Sequence, residues 1–183
     1  MDSSYARWAA RWRVPLGFLL GISYLIFSRP TLQLLLIGGT IAATGVAIRA
    51  YASGHLAKNQ RLATSGPYAY TRNPLYLGSL MLAAGFAIAA RSWWIVALML
   101  LMFAVIYIPV IAGEERYLRQ TFPEFDDYAR HVPRMLPRLT RYGSEQSVYS
   151  SARYWKHREY EASIGCLVVL AILVLKLLLK LVW

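Results

Sequence analysis

Five apolar runs, each closed by a polar or basic connection, set the limits on how this chain can fold. They cover residues 14–28, 31–52, 75–90, 93–113 and 163–183. A bilayer core takes roughly 20 helical residues to cross. The second, fourth and fifth runs meet that length, and the first and third are shorter. The pattern predicts an all-α integral membrane bundle of about five transmembrane helices, built as a single domain over residues 1–183. Gly17 and Gly21 are four apart in the first run. They either permit close helix approach or fall there by chance. Gly38, Gly39 and Gly45 give the second run a face of small residues.

The charge agrees with this layout. The chain is 57% hydrophobic and only 16% charged, yet its formal net charge is +11. Of its 20 Lys and Arg, all but Arg29, Arg91, Lys176 and Lys180 fall in residues 1–13, 49–73 and 114–162. Five spans place these three segments on one side of the membrane. The positive-inside rule makes that side cytoplasmic, with the N-terminus there and the C-terminus opposite. Arg7, Arg11 and Arg13 before the first run imitate a signal peptide. No cleavage site leads into a soluble domain, so the first run is expected to be a retained membrane helix. Nucleic-acid binding is the rival reading of the charge. It is set aside because the basic residues flank apolar runs instead of forming one patch.

Trp8, Trp12, Trp93 and Trp94 read as interfacial anchors. Arg49, Lys176 and Lys180, near the ends of runs, are expected to snorkel to the surface. Cys166 is the single cysteine, so no intramolecular disulfide is possible. No Cys/His cluster has metal-ligand spacing, and no metal site is assigned.

The segment that carries most chemical information is the polar island at residues 62–78. It holds Gly66, Pro67, Tyr68, Tyr70, Arg72, Asn73, Pro74, Tyr76 and Gly78. Gly66-Pro67 turns the chain. Pro74 disfavours helix at Asn73 and starts the third helix, which leaves Asn73 to cap it. The tyrosines fit an interfacial belt, although a belt does not account for their spacing around Arg72-Asn73-Pro74. Beyond the fourth run, Glu114 opens a charged stretch. Tyr117, Leu118, Phe122 and Phe125 mark it as an amphipathic extension of the helix, interrupted at Pro123. Pro133 and Pro137 force extended or turning backbone. Residues 143–151 read as a serine-rich loop and 152–161 as a polar helix. A lid, a surface helix and a connector all remain open for residues 143–161.

The third and fourth runs, joined at Arg91-Ser92, read as a helical hairpin. Its far ends, near Pro74 and Glu114, are expected to be neighbours. Tyr68, Tyr70, Arg72, Asn73 and Tyr76 would then meet Glu114 and Glu115. Such a set suits a zwitterionic or cationic ligand, with arginine for a carboxylate and tyrosine rings for a cation or an adenine. Simple solvation at the bilayer edge is the better account of Glu114 or Arg72 when each is taken alone, and the site reading gains only when they are taken together in facing segments.

The stretch Ser65-Gly66-Pro67-Tyr68-Ala69-Tyr70-Thr71-Arg72-Asn73-Pro74-Leu75-Tyr76-Leu77-Gly78 resembles the Gly-x-Tyr…Arg-His-Pro-x-Tyr-x-Gly signature of isoprenylcysteine carboxyl methyltransferases, within the wider phospholipid methyltransferase group. Glu114-Glu115-x-x-Leu118-x-x-x-Phe122, followed by Tyr128 and Val132-Pro133, resembles that family's second block. The resemblance covers about residues 56–139 and implies a catalytic region at about 54–139.

It implies S-adenosylmethionine-dependent methyl transfer at the cytoplasmic membrane face. The implied partner is a lipid-like or prenylated acceptor among the membrane lipids, and the implied reaction is most like carboxyl methylation of a prenylated cysteine. By the same resemblance, Gln60, Ala63, Tyr68, Arg72, Asn73, Pro74, Tyr76 and Glu114 fall at cofactor-binding positions. Asn73 replaces the family's histidine, and Gln60 stands where eukaryotic members often have one. Neither amide acts as a base near neutral pH, so no catalytic residue is assigned. Methyl transfer to a phospholipid or a small thiol is the near alternative. A nicotinamide-dependent membrane reductase is the distant one, and it lacks a glycine-rich phosphate loop. A non-catalytic membrane protein is the third.

Overall fold

The computed structural model describes residues 3–57, 60–144 and 147–179, and no strand occurs among them. Helix α1 covers Ser3–Phe27, α2 Leu32–His55, α3 Pro74–Ala90 and α4 Trp93–Thr121. A 3₁₀ turn at Gly66–Ala69 lies between α2 and α3. Three shorter or later helices follow: α5 at Phe125–His131, α6 at Ser151–Lys156 and α7 at Tyr160–Leu178. The protein is all-helical. Helices α2, α4 and α7 are long and apolar enough to cross a membrane, and Val14–Phe27 and Pro74–Ala90 are shorter apolar helices. Lys180 and the last residues of the fifth run lie outside the described residues, as do Glu145 and Gln146.

Several boundaries differ from expectation, among them the helix expected over 152–161, which stops at Lys156 before α7 begins at Tyr160. Helix α1 begins at Ser3, so the basic residues before the first apolar run are already helical. Helix α2 continues past Ala52 to His55. Polarity marked Ser53, Gly54 and His55 as loop, yet nothing there breaks a helix until the chain has turned. Helix α4 runs on through the charged stretch to Thr121, just before Pro123. It widens into a π-helical segment at Phe103–Tyr107. Pro109 accounts for this: its ring has no N–H and crowds the carbonyl four residues back, which a locally wider helix relieves.

The described residues fall into two compact units. One is made from residues 3–41, 83–117 and 168–179. Tyr24, Leu35, Ala89, Ala90, Ile95 and Leu173 form its core, with Phe86, Met99 and Leu170 packed against them. Tyr24 donates its hydroxyl to the Phe86 carbonyl at 3.0 Å, so this buried phenol is satisfied. Gly38 meets α3 backbone to backbone: a Cβ there would lie 2.3 Å from the Gly85 oxygen. The glycines of α1 have no such role. A Cβ on Gly21 would meet nothing within 4 Å, and one on Gly17 only the tip of Met102 at 3.9 Å. Lys176 does not snorkel. Its ammonium donates to the carbonyls of Leu25 (2.9 Å) and Ser28 (2.7 Å) at the end of α1. Those carbonyls have no partner inside the helix, and a cation suits the negative end of the helix dipole.

The other unit is made from residues 42–82 and 118–167. Here α2 and α3 again cross at glycines. A Cβ on Gly45 would fall 2.5 Å from the Gly78 oxygen, and one on Gly78 would fall 2.6 Å from the Gly45 oxygen. Arg49 does not snorkel either. It forms a two-pronged ion pair with Glu159 and also donates to the Leu75 carbonyl and the Ser79 hydroxyl. Glu159 lies in the break between α6 and α7, where Arg158 takes a φ of +56°. A second core joins Leu62 to Phe125, Tyr128 and Val132, with Leu118, Phe122 and Tyr142 at its edge.

Candidate functional site

The motif segment at residues 65–74 is held along its length by the return segment that follows α5. The Arg72 N–H donates to the Pro133 carbonyl at 2.9 Å. The Arg138 N–H donates to the Tyr70 carbonyl (2.9 Å) and the Tyr142 N–H to the Ala69 carbonyl (3.0 Å). Side chains add to this pairing. Thr71 donates its hydroxyl to the Met135 carbonyl at 3.0 Å, and Asn73 donates its amide nitrogen to the Arg134 carbonyl at 3.0 Å. The Tyr128 hydroxyl donates to the Tyr68 carbonyl at 2.7 Å. Pro133 and Pro137 keep the return segment from coiling into helix, which leaves its backbone groups for the motif.

This arrangement locates the residues singled out by sequence. Gln60 is exposed in the turn after α2, and Ala63 is half-buried beyond it. Tyr68 is buried in the 3₁₀ turn. Arg72 and Asn73 are half-buried, Pro74 is buried at the start of α3, and Tyr76 is half-buried two residues on. The Asn73 backbone carbonyl accepts from the Leu77 N–H at 2.9 Å, the first turn of α3, so Asn73 stands at the helix start. Its side-chain amide nitrogen donates to the Arg134 carbonyl of the return segment, which thus forms a strap along the motif. Glu114 belongs to the other unit, where it is exposed, while its neighbour Glu115 is buried.

Near the strap, the Tyr142 hydroxyl donates to Asp127 at 3.0 Å. Desolvation, together with that carboxylate, raises the Tyr142 pKa above its ordinary value.

Sequence reasoning missed a second group of residues in this unit. A cavity of about 540 Å³ opens beside the motif. That lies within the range of about 300–1,000 Å³ usual for small-molecule sites. Helix α2 contributes Ile48, Tyr51 and His55, and the motif contributes Pro67, Tyr70 and Thr71. Pro74 and Leu77 line it from α3, and Arg141 and Ser147 from the return segment. The lining combines apolar side chains with imidazole, guanidinium and hydroxyl groups. Pro74 alone among the cofactor-position residues lines this cavity.

The segment around Ser147 is held closely. Ser65 donates to the Ser147 hydroxyl at 2.7 Å, and the Ser150 N–H donates to the Gly54 carbonyl at 3.0 Å. The Tyr149 ring stacks on Tyr51, with centroids 6.3 Å apart, and covers Gly54 so closely that a Cβ there would fall 2.2 Å from the ring. Ser147 to Ser150 thus act as a clasp over the end of α2. The one signal in the sequence was Tyr51 and His55 at i, i+4, which share one face if the helix continues past Ala52.

Among the described residues no group of three His, Cys, Asp or Glu side chains is placed to hold a metal ion. Cys166 is buried and free.

Comparison with known proteins gives a family match over residues 18–124, to a model described as phospholipid methyltransferase. The chain is 35% identical over 144 residues to the cobalt-zinc-cadmium resistance protein CzcN of Cupriavidus metallidurans, covering 78% of this chain and 59% of that one. It is 38% identical over 113 residues to the nickel-cobalt-cadmium resistance protein NccN of Alcaligenes xylosoxydans xylosoxydans, covering 61% of this chain and 52% of that one. The chain therefore spans little more than half the length of these relatives. No solved structure matches it.

Proposed function

The chain belongs to the phospholipid methyltransferase family, and from that premise we propose that it is a membrane enzyme transferring a methyl group from S-adenosylmethionine to an amphipathic, lipid-like acceptor. The single observation that carries this reading is the strapped motif. A segment bearing Tyr68, Arg72 and Asn73 is fixed by backbone and side-chain bonds from residues 128–142. Such fixing is what a site needs when catalysis depends on alignment rather than on a strong acid or base.

The donor set fits the cofactor. Arg72 offers a guanidinium to its carboxylate, and Tyr68 and Tyr76 offer rings to its sulfonium or adenine. Gln60, Ala63 and Pro74 belong to the same block. Glu114 is carried over from the second block on resemblance alone. When bound, S-adenosylmethionine supplies an electrophilic methyl group. The chain's own task is to orient that methyl and the acceptor in line and to exclude water. The basic segments at residues 49–73 and 114–162 support placing this site on the cytoplasmic face.

By resemblance the reference acceptor is the carboxylate of a prenylated cysteine, which is ionised already and needs no base. A second reading, an acceptor whose nucleophile carries a proton, is favoured by one observation: a histidine lines the cavity beside the motif.

Calorimetric titration of the purified protein with S-adenosylhomocysteine tests the main reading. Binding is expected, and Arg72→Ala should weaken it about tenfold or more, since a hydrogen bond to a charged group is worth roughly 1.5–3 kcal/mol. No binding by the wild-type protein would remove the methyltransferase assignment. Unchanged affinity in Glu114→Ala would remove that residue from the site.

A further inference from the structure

His55 ends α2 with its ring buried and fixed on several sides. Nδ1 lies 2.9 Å from the Tyr51 carbonyl. A carbonyl only accepts, so Nδ1 carries the proton and the neutral ring has its lone pair on Nε2. Tyr51 packs edge-on at 4.5 Å between centroids, and Tyr149 lies across the ring at 6.0 Å. Gly66, at φ +60°, lies against the Cδ2 side of the ring. A Cβ there would stand 2.4 Å from Cδ2 and 2.9 Å from Nε2. Both His55 and Gly66 line the cavity. No hydrogen bond to Nε2 occurs among the described residues. The titratable and charged groups around His55 are Tyr51 on its own helix, Tyr149 against its ring, Tyr70 and Arg141 in the cavity lining, and Arg153 and His157, which lie 3.4 and 3.1 Å from the neighbouring Gly54 and Leu56 carbonyls. The cavity lining includes no carboxylate.

A histidine kept only for packing needs the Nδ1 bond and the ring volume. It does not need a cavity whose lining combines a guanidinium and hydroxyls with apolar Ile48 and Leu77. We propose that this cavity seats the head of the methyl acceptor, and that His55 Nε2 accepts the proton shed by the acceptor's nucleophile. The acceptor is thereby an amphipath with a thiol or amine head.

This rests on the methyl-transfer reading and narrows it. The nucleophile's sulfur or nitrogen gains the methyl carbon and gives its proton to Nε2. The electron pair of the broken carbon–sulfur bond stays on the departing sulfur. The imidazolium then returns the proton to water. His55 thus supplies the base that Asn73 and Gln60 cannot.

The test uses the full chain in lipid nanodiscs with methyl-labelled cofactor and three probes: 1-dodecanethiol, dodecylamine and N-acetyl-S-farnesylcysteine. The chain has 3 histidines, so the His55 imidazole can be followed by NMR. Adding dodecanethiol or dodecylamine without cofactor should move the Nε2 resonance. Wild-type transfer to the thiol or amine should rise with pH through one titration and then level. His55→Gln and His55→Phe should lower kcat about 100- to 1,000-fold with KM changed by no more than about threefold, as for loss of a general base. S-adenosylhomocysteine affinity should not change.

The wild-type profile and the NMR shift need no variant, so a misfolded substitution does not rescue the idea. Wild-type kcat in either variant, a pH-independent rate, an unmoved Nε2, or transfer to no probe or to the farnesylcysteine carboxylate alone overturns the proposal. So does loss of S-adenosylhomocysteine affinity in His55→Gln, which would give the cavity to the cofactor. Failure of the wild-type protein to bind S-adenosylhomocysteine removes the methyltransferase reading itself, and His55 with it.

Discussion

Arg49 and Glu159, 110 positions apart in the chain, meet through two parallel hydrogen bonds: Nε to Oε2 at 3.0 Å and Nη2 to Oε1 at 2.9 Å. The pair ties α2 to the break before α7. Its side chains are only 22% and 10% exposed. Breaking a buried pair from one side strands the other charge and costs about 3–5 kcal/mol, less where water still reaches. Arg49→Ala or Glu159→Ala should therefore destabilise this unit by roughly 2–3 kcal/mol, while the double change to Met and Leu should cost less than either alone. Arg49→Lys should recover little, because an ammonium cannot make the two-pronged contact. Cys166 is 4% exposed and is the single cysteine, so a thiol-reactive dye reports unfolding directly. Additive costs in the double variant would deny that the two residues are coupled.

Gly45 and Gly21 make opposite predictions from the same substitution. A methyl on Gly45 would press on the Gly78 oxygen and the Leu82 nitrogen, both backbone, so α2 and α3 must part. Overpacking of this kind costs about 1–3 kcal/mol. A methyl on Gly21 meets nothing within 4 Å. There Gly→Ala should be neutral or stabilising by up to about 1 kcal/mol, through the unfolded chain. Thermal midpoints that move together in the two variants would contradict the close crossing.

These glycines also mark what the sequence could and could not convey. Apolar runs long enough to span were legible, since length and hydropathy are properties of the chain alone. Gly38 and Gly45 were recognisable as a small face, but not their partner on α3, because close approach is decided by both surfaces. Lys176 looked like a residue reaching for water. It turns inward because the end of α1 brings unsatisfied carbonyls within its reach. The motif from Ser65 to Gly78 was legible through its turn residues. Its strap was not, because the partners from Pro133 to Tyr142 contribute mostly backbone, which has no sequence signature. His55 was lost by ending the second run at Ala52: two small residues, Ser53 and Gly54, hid the last turn of a helix and its one ionisable side chain.

Tyr142 makes the stability of the strap depend on pH. Its folded-state pKa is raised, and its unfolded value is about 10. The phenol is neutral when protonated, so the folded state holds its proton more tightly. Its contribution is full below the unfolded pKa and is lost as pH climbs past the folded one. Tyr142→Phe removes both the bond to Asp127 and this dependence. Thermal midpoints compared from roughly pH 8 to 11 should show the wild type's advantage shrinking above about pH 10. Parallel curves would mean that the phenol does not keep its proton through Asp127.

Lys176 offers the last test, because its role is local to one helix end. Its ammonium donates to the Leu25 and Ser28 carbonyls and lies 3.4 Å from the Ser28 hydroxyl. Lys176→Met keeps the length and apolar stem but removes every donor. The carbonyls at the end of α1 then lose their cap, at a cost of about 1–2 kcal/mol. Hydrogen exchange should localise the effect. Amides around Ser28, whose own N–H bonds the Tyr24 carbonyl at 2.9 Å, should exchange faster. Amides of the strapped motif should not change. Faster exchange at the motif, with the end of α1 unmoved, would show that Lys176 acts elsewhere than on the helix it caps.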